Sequence, residues 1–153
     1  MPAVYPELIQ LVKTEKPDFV QFCYNIATRD AEKELLPLAK EKGIAVLINR
    51  PFQEGNLFNI VKEHPLPPWA KEYDITSWAQ FFLKFILSHP AVTCAIPGTS
   101  KALHMEDNLG AATGSSAASF SRIGISDRGG EQRRGRCSGR MAQCERRVRK
   151  HSH

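Results

Sequence analysis

The residue types best suited to bind a ligand lie in one short run, residues 95–108, with the sequence AIPGTSKALHMEDN. The pattern predicts a short apolar strand, a turn at residues 98–101, and a helix whose exposed face ends in Asp107 and Asn108. Such a turn presents free backbone N–H groups, two hydroxyls and an ammonium at a helix N-terminus, a combination that binds phosphate. The alternative is an ordinary capped surface helix with a solvated lysine.

Three segments have the composition of strands, at about residues 18–25, 44–50 and 91–96. The middle one contains IAVLI, a continuous apolar run that is typical of a parallel strand buried on both faces. Helices are predicted between and around them. The order α-β-α-β-α-β-α with short connections favours an α/β fold of parallel strands with right-handed crossovers.

The helix patterns predict four segments. The first starts near Pro6 and ends near Pro17. The second runs from an N-cap at Asp30 to residue 42, before Gly43, and Pro37 either falls in the first turn of a later-starting helix or kinks it. The third covers residues 76–88 and should be mostly buried, apart from a narrow polar stripe at Ser77, Gln80, Lys84 and Ser88. The fourth extends to residue 112.

The chain changes character at about residue 113. Of the net charge of +5, residues 1–112 carry 11 Lys/Arg and 13 Asp/Glu, whereas residues 113–153 carry 10 Lys/Arg and 3 Asp/Glu. The second part is rich in Arg, Gly and Ser and has few large apolar residues, so it cannot offset its ordering entropy, and we expect it to be disordered. It is either a non-native, frame-shifted tail or a basic arm for nucleic acid.

Composition favours a cytoplasmic, reduced setting. No secretory signal or membrane-length apolar stretch is visible. Cys23 and Cys94 are expected to be small buried hydrophobes, and Cys137 and Cys144 lack a second pair of metal ligands nearby, which argues against a zinc site.

Three blocks, in this order and spacing, resemble the second half of the aldo-keto reductase barrel. They are FVQFCYN at residues 19–25, GIAVLINRPF at residues 43–52, and IPGTSK at residues 96–101 followed by EDN at residues 106–108. The resemblance covers residues 1–112 and implies three strands of a (β/α)8 TIM barrel. A complete barrel needs roughly 250 residues, so 153 residues are expected to hold only part of one.

The resemblance assigns roles around a nicotinamide cofactor. Gln21 would bond the nicotinamide carboxamide, and an amide suits this role because it both donates and accepts; otherwise it is a polar residue satisfied at the barrel mouth. Asn49 stands where the family usually has an aromatic that stacks on the nicotinamide, so only a polar contact is expected there. Arg50, Pro51 and Phe52 fall where the loop follows the pyrophosphate, although Arg50 could instead pair with a carboxylate.

The last block would hold the adenosine end of the cofactor. Gly98 would allow close approach of the backbone, and Thr99, Ser100 and Lys101 match contacts to the 2′-phosphate, which favours NADP(H) over NAD. His104 replaces a frequent Arg, Asp107 replaces a frequent Glu, and Asn108 matches an adenine contact.

The resemblance implies an NADPH-dependent oxidoreductase that reduces a small carbonyl substrate to an alcohol. The family's catalytic Asp, Tyr, Lys and His come from the first half of the barrel, and no residue of this chain has the matching context. No catalytic residue is therefore predicted, and the chain alone is expected to be inactive. The alternative is a non-catalytic α/β module that binds a nucleotide, or binds nucleic acid through its basic tail.

Overall fold

The computed structural model describes residues 5–113, and the expected disorder of the tail, like the question of Cys137 and Cys144, lies outside them. The helices and strands within this part follow one another as α1 (Tyr5–Thr14), β1 (Phe19–Cys23), α2 (Leu35–Glu41), β2 (Ala45–Asn49), α3 (Asn56–Val61), α4 (Trp78–Leu87), β3 (Cys94–Ala95) and α5 (Ala102–Leu109). Short 3₁₀ turns cover Asp30–Glu32, Gln53–Gly55, Pro68–Tyr73 and Gly110–Ala112. Within residues 5–113 no helix is both long enough and apolar enough to cross a bilayer.

The three strands form one parallel sheet in the order β1-β2-β3, which confirms the predicted fold class. Gln21 lies beside Leu47, Cys23 lies beside Asn49, and Ile48 lies beside Ala95. The third strand is shorter than the predicted span of residues 91–96. The beginning of the predicted span is a turn in which the Val92 amide donates to the His89 carbonyl. Pro97, which directly follows the predicted span, has no N–H to donate to a strand ladder.

One face of the sheet carries the core. Val20, Phe22, Val46 and Ile48 point to the helices and are at most 6% exposed. The opposite face is partly open, with Phe19 57% exposed. The prediction that residues 44–48 are buried on both faces is therefore wrong for one face, because the residues that alternate with the core positions have nothing packed fully over them within the described chain.

The two cysteines predicted to be buried lie on this open face. Cys23 is half-buried and Cys94 is exposed, so the prediction is wrong for Cys94. The apolar composition of their strands was a correct signal for strand structure, but it does not distinguish the two faces of a sheet.

The second helix starts later than an N-cap at Asp30 would require. Asp30 lies in a 3₁₀ turn and pairs with Lys33 at 2.7 Å, whereas α2 begins at Leu35. Pro37 is thus the third helical residue, where its missing N–H leaves no intrahelical bond unmade. Gly43, with φ of +67°, ends this region in the left-handed conformation that the sequence predicts.

Helix α4 is buried, as predicted, but so are two of the four residues of its polar stripe. Ser77 caps the helix by accepting a hydrogen bond from the Gln80 amide at 3.1 Å. Gln80 is 7% exposed and Lys84 is 1% exposed, and the Lys84 ammonium donates to the Thr113 carbonyl at 2.9 Å. These polar groups fasten α4 to the segment that carries α5, and so they set the position of the predicted phosphate-binding turn.

Candidate functional site

A cavity of about 900 Å³ lies against β1 and the C-terminal end of β2. Three of the residues predicted to bind a ligand, Gln21, Asn49 and Arg50, line it together. They come together because Gln21 and Asn49 project to the same open face of two adjacent parallel strands, and Arg50 follows directly. Apolar side chains of α1, Leu8 and Leu11, form another wall.

Asn49 has an unusual environment in this cavity. Its Oδ1 atom is buried and accepts no hydrogen bond from residues 5–113. Buried polar atoms in folded proteins are nearly always hydrogen-bonded, so an unpaired one requires an explanation.

Arg50 is held in place through its backbone. It has a left-handed φ of 48°, which is uncommon for a residue with a side chain. Its carbonyl accepts hydrogen bonds from the Asn25 side chain at 3.2 Å and from the Gln53 amide at 3.1 Å, and these stabilise the tight turn. Its guanidinium pairs with Glu54 at 3.0 Å. In this structure Arg50 therefore pairs with a carboxylate, which was the alternative to a phosphate contact. Both side chains are about half exposed or more.

Pro51 and Phe52, which were predicted to lie along a pyrophosphate, do not line this cavity. Pro51 is buried, and the Phe52 ring packs on Phe58 at 4.9 Å and on Phe82 at 6.5 Å between ring centroids. This aromatic cluster packs the Arg50 loop against α3 and α4.

The turn at residues 98–101 follows β3 and leads into α5. Gly98, Ser100 and Lys101 are exposed. The Thr99 hydroxyl accepts a hydrogen bond from the Lys101 amide at 3.2 Å, and no side chain caps the N-terminus of α5. The Lys101 ammonium has no partner within the described residues, and His104 is exposed on the first turn of the helix.

This turn does not line the 900 Å³ cavity, but both lie at the same edge of the sheet. Asn49 ends β2, and the turn begins shortly after Ala95, which pairs with Ile48. Because the strands are parallel, their C-terminal ends meet at one edge, where ligands of α/β barrels bind.

The last two predicted residues face the protein, so the prediction that they end the exposed face of the helix is wrong for Asn108, which is buried. Asp107 Oδ1 accepts a hydrogen bond from Gln80 Nε2 at 2.8 Å, and Asn108 is only 8% exposed. In this structure, then, the end of α5 is held by α4.

Sequence reasoning missed several residues of the cavity wall. Glu54 pairs with Arg50, and Gln53 donates to the Thr28 hydroxyl at 3.1 Å. Behind the wall, Asn25 is fully buried two residues after β1 and donates to the Arg50 carbonyl. Its place at the end of the block FVQFCYN was the only available signal, and the resemblance assigned it no role.

Burial also perturbs two titrating groups at the cavity. The Tyr5 hydroxyl donates to the Cys23 carbonyl at 2.6 Å, and burial raises the pKa of Tyr5 to about 12, with smaller contributions from Cys23 and Asp30. Burial likewise raises the pKa of the Cys23 thiol, against an opposing effect of Arg50. Both groups therefore stay neutral near pH 7, and neither is a ready base or nucleophile.

Comparisons with known proteins converge on one family. The model of the aldo/keto reductase family matches residues 4–125. An uncharacterized oxidoreductase of Schizosaccharomyces pombe is 36% identical over 93 residues, which cover 61% of this chain and 29% of that relative.

Solved structures agree. An aldo-keto reductase from Klebsiella pneumoniae in complex with NADPH is 26% identical with a TM-score of 0.57, and the holo form of an aldo-keto reductase from Bacillus halodurans is 18% identical with a TM-score of 0.55. Each similarity covers 76% of this chain but only 43% and 44% of the respective relative. The chain thus spans less than half the length of these relatives.

Proposed function

Since the chain belongs to the aldo/keto reductase family, a family of oxidoreductases, we propose that it carries the NADPH-binding part of an enzyme that reduces carbonyl groups to alcohols. One observation supports this proposal most strongly: two amide side chains and an arginine line one cavity, and this cavity lies at the same sheet edge as the 98–101 turn. A dinucleotide needs both an amide-reading pocket and a separate phosphate site. This edge of the sheet offers candidates for each.

The residues of the cavity fit the nicotinamide end of such a cofactor. Gln21 presents both a donor and an acceptor, and the buried Asn49 oxygen lacks a donor within the described residues. Arg50 would hold the pyrophosphate if it exchanged Glu54 for a phosphate oxygen, since a guanidinium binds both groups in the same geometry.

The turn after β3 fits the adenosine end. Lys101, together with the hydroxyls of Thr99 and Ser100 and the uncapped N-terminus of α5, would bind the 2′-phosphate of NADP. We assign Gly98, His104, Asp107 and Asn108 to the same region. Asp107 and Asn108 would act there mainly through the packing of α5, because one is bonded to Gln80 and the other is buried.

The bound cofactor would supply hydride to a small carbonyl substrate in a cytoplasmic setting. This chain's own residues would bind and orient the cofactor. We propose that no residue of the chain takes the place of the family's Asp, Tyr, Lys and His, and that the chain alone does not complete the reduction. Sequencing the DNA that precedes codon 1 tests this reading: a stretch encoding those four residues in order supports it, and unrelated DNA argues against it.

A fluorescence titration tests cofactor binding. The natural chain should bind NADPH more tightly than NADH, and Lys101→Ala should weaken NADPH binding by about 10- to 100-fold, as expected for a lost hydrogen bond to a charged group worth about 1.5–3 kcal/mol. Lys40→Ala is the matched control, since Lys40 is exposed on α2 away from this edge. Equal affinities for NADPH and NADH would contradict the assignment of the turn.

A second candidate function rests on the tail, in which 10 of 41 residues are Lys or Arg. Such a segment would bind the phosphate backbone of nucleic acid without using the cavity. DNA affinity that falls steeply with salt and disappears on deletion of residues 113–153 would favour it. The segment has a single aromatic residue, Phe120, on which a base could stack, and we therefore rank it second.

A further inference from the structure

The strongest unexplained feature of the molecule is the buried carbonyl oxygen of Asn49. We propose that Asn49 Oδ1 accepts a hydrogen bond from the carboxamide NH₂ of the nicotinamide ring, so that this chain fixes the ring by hydrogen bonding at a position where an aromatic residue would fix it by stacking. The inference rests on the proposed function and assigns a specific recognition role to one residue of that site.

The protein itself does not satisfy this oxygen. It is buried against the cavity and has no hydrogen-bond donor among residues 5–113. A buried acceptor without a donor destabilises the folded state, and such groups mark places where a ligand or water completes the bonding.

Three polar side chains of the neighbouring turns bond to other groups. The Asn25 amide donates to Cys23 Sγ at 3.6 Å and to the Arg50 carbonyl at 3.2 Å. The Gln53 amide donates to Thr28, and the Arg50 guanidinium pairs with Glu54. A donor for Asn49 is therefore expected to enter with the ligand.

The position of Gln21 indicates which ligand group supplies this donor. Gln21 lies beside Leu47, two residues before Asn49, so both amides project to the same face from adjacent strands. Strand spacing puts their Cα atoms about 8 Å apart. One planar carboxamide between them could accept from Gln21 through its oxygen and donate to Asn49 through its NH₂.

The two bonds together would select one orientation of the carboxamide. A carboxamide flipped by half a turn would place its oxygen against Asn49 Oδ1, and two acceptors facing each other repel. The asymmetry of the amide pair would therefore fix how the carboxamide is rotated about its bond to the ring.

The test compares two cofactors that differ only at this group. In the 3-acetylpyridine analogue of NADPH a methyl group replaces the NH₂, so the carbonyl remains and the donor is lost. Calorimetric titration of the full chain should show NADPH binding about three- to tenfold more tightly than the analogue, as expected for one neutral hydrogen bond.

In Asn49→Leu, which keeps a similar volume without an acceptor, this preference should vanish. The affinity for adenosine 2′,5′-bisphosphate, which has no nicotinamide, should stay unchanged. Asn59→Leu, on an exposed position of α3, is the matched control and should retain the preference.

The outcomes separate the two levels of the proposal. If the natural chain binds both NADPH and the bisphosphate but Asn49→Leu keeps the full preference for NADPH over the analogue, the role of Asn49 is refuted and cofactor binding stands. If Asn49→Leu changes the melting temperature alone, the oxygen has only a structural effect and the inference is likewise overturned. If the natural chain binds neither nucleotide, the proposed function fails, and this inference fails with it.

Discussion

The effect of Gly110→Ala on stability should depend on the residue at position 80. The substitution should destabilise the natural chain but stabilise a variant in which Gln80 is replaced by alanine. A Cβ atom at Gly110 would lie 2.6 Å from Gln80 Nε2, closer than such atoms approach, and 3.1 Å from Gln80 Cδ, which is a tight contact. Gln80 is 7% exposed and has little room to move. Gln80 Nε2 donates to Asp107 Oδ1 at 2.8 Å, and Gln80 Oε1 accepts from the Thr76 backbone amide at 2.9 Å. Displacement of the Gln80 side chain would break at least the bond to Asp107.

The magnitude follows from these contacts. Loss of a hydrogen bond to a carboxylate lowers the free energy of unfolding by about 1.5–3 kcal/mol. Alanine in place of a glycine with ordinary negative φ returns about 0.5–1 kcal/mol. Gly110→Ala should therefore destabilise the natural chain by about 1–2 kcal/mol. In a Gln80→Ala background the obstructing amide is gone, and the same substitution should stabilise by about 0.5–1 kcal/mol.

Urea unfolding followed by circular dichroism measures both differences, provided that the m values agree. Equal losses in the two backgrounds would refute the proposed contact between the end of α5 and Gln80.

Three further predictions concern the cavity wall. Tyr5→Phe should lower the free energy of unfolding by about 1 kcal/mol at pH 8, because the hydrogen bond to the Cys23 carbonyl is lost. Since burial raises the folded-state pKa of Tyr5 to about 12, above the ordinary value of 10.0, the natural chain should lose this advantage between pH 10 and 12, and a difference that is constant with pH would contradict the burial. Iodoacetamide at pH 7.5 should alkylate the exposed Cys94 before Cys23, whose thiol is half-buried with a raised pKa; peptide masses report the order, and the reverse order would be inconsistent with the structure. Glu54→Gln should tighten NADPH binding by up to about fivefold, because it frees Arg50 from an exposed ion pair worth about 0–1 kcal/mol, whereas weaker binding in the titration would argue against a phosphate role for Arg50.

Local sequence patterns predicted the three strands and four of the five α-helices within residues 5–113, but they missed α3, because its Pro- and Gly-rich surroundings favour a loop. The apolar run at residues 44–48 and the aromatic run at residues 19–23 identified β1 and β2, and their alternation with helices indicated the parallel sheet. Gly43 was predicted correctly because a left-handed φ at a helix end strongly favours glycine. These signals depend on a residue and its immediate neighbours, so a single sequence contains them.

Tertiary context accounts for what the sequence could not predict. Cys94 lies in an apolar strand but on the open face of the sheet. Gln80 and Lys84 form a polar stripe typical of a solvated helix face, yet both are buried because the segment from Asp107 to Thr113 provides partners for them. Their partners lie 27 and 29 residues away along the chain, and no local pattern encodes such pairings.

The site was predicted in part for the same reason. The resemblance to the family named Gln21, Asn49 and Arg50, and the structure brings these three into one cavity. The pairing of Arg50 with Glu54 occurs in a turn whose backbone is left-handed at Arg50, Gln53 and Glu54. Residues of these types rarely adopt that conformation, so it could not be anticipated from their identity.

Backbone amide NMR of the labelled full chain during titration with NADP⁺ tests the central claim most directly. Saturable chemical-shift changes should concentrate at residues 98–101 and at the side-chain amide signals of Gln21 and Asn49, which lie on adjacent strands of the same sheet. Shift changes confined to residues 113–153, and lost at moderate salt, would contradict it and would indicate simple attraction of a phosphate to the basic tail.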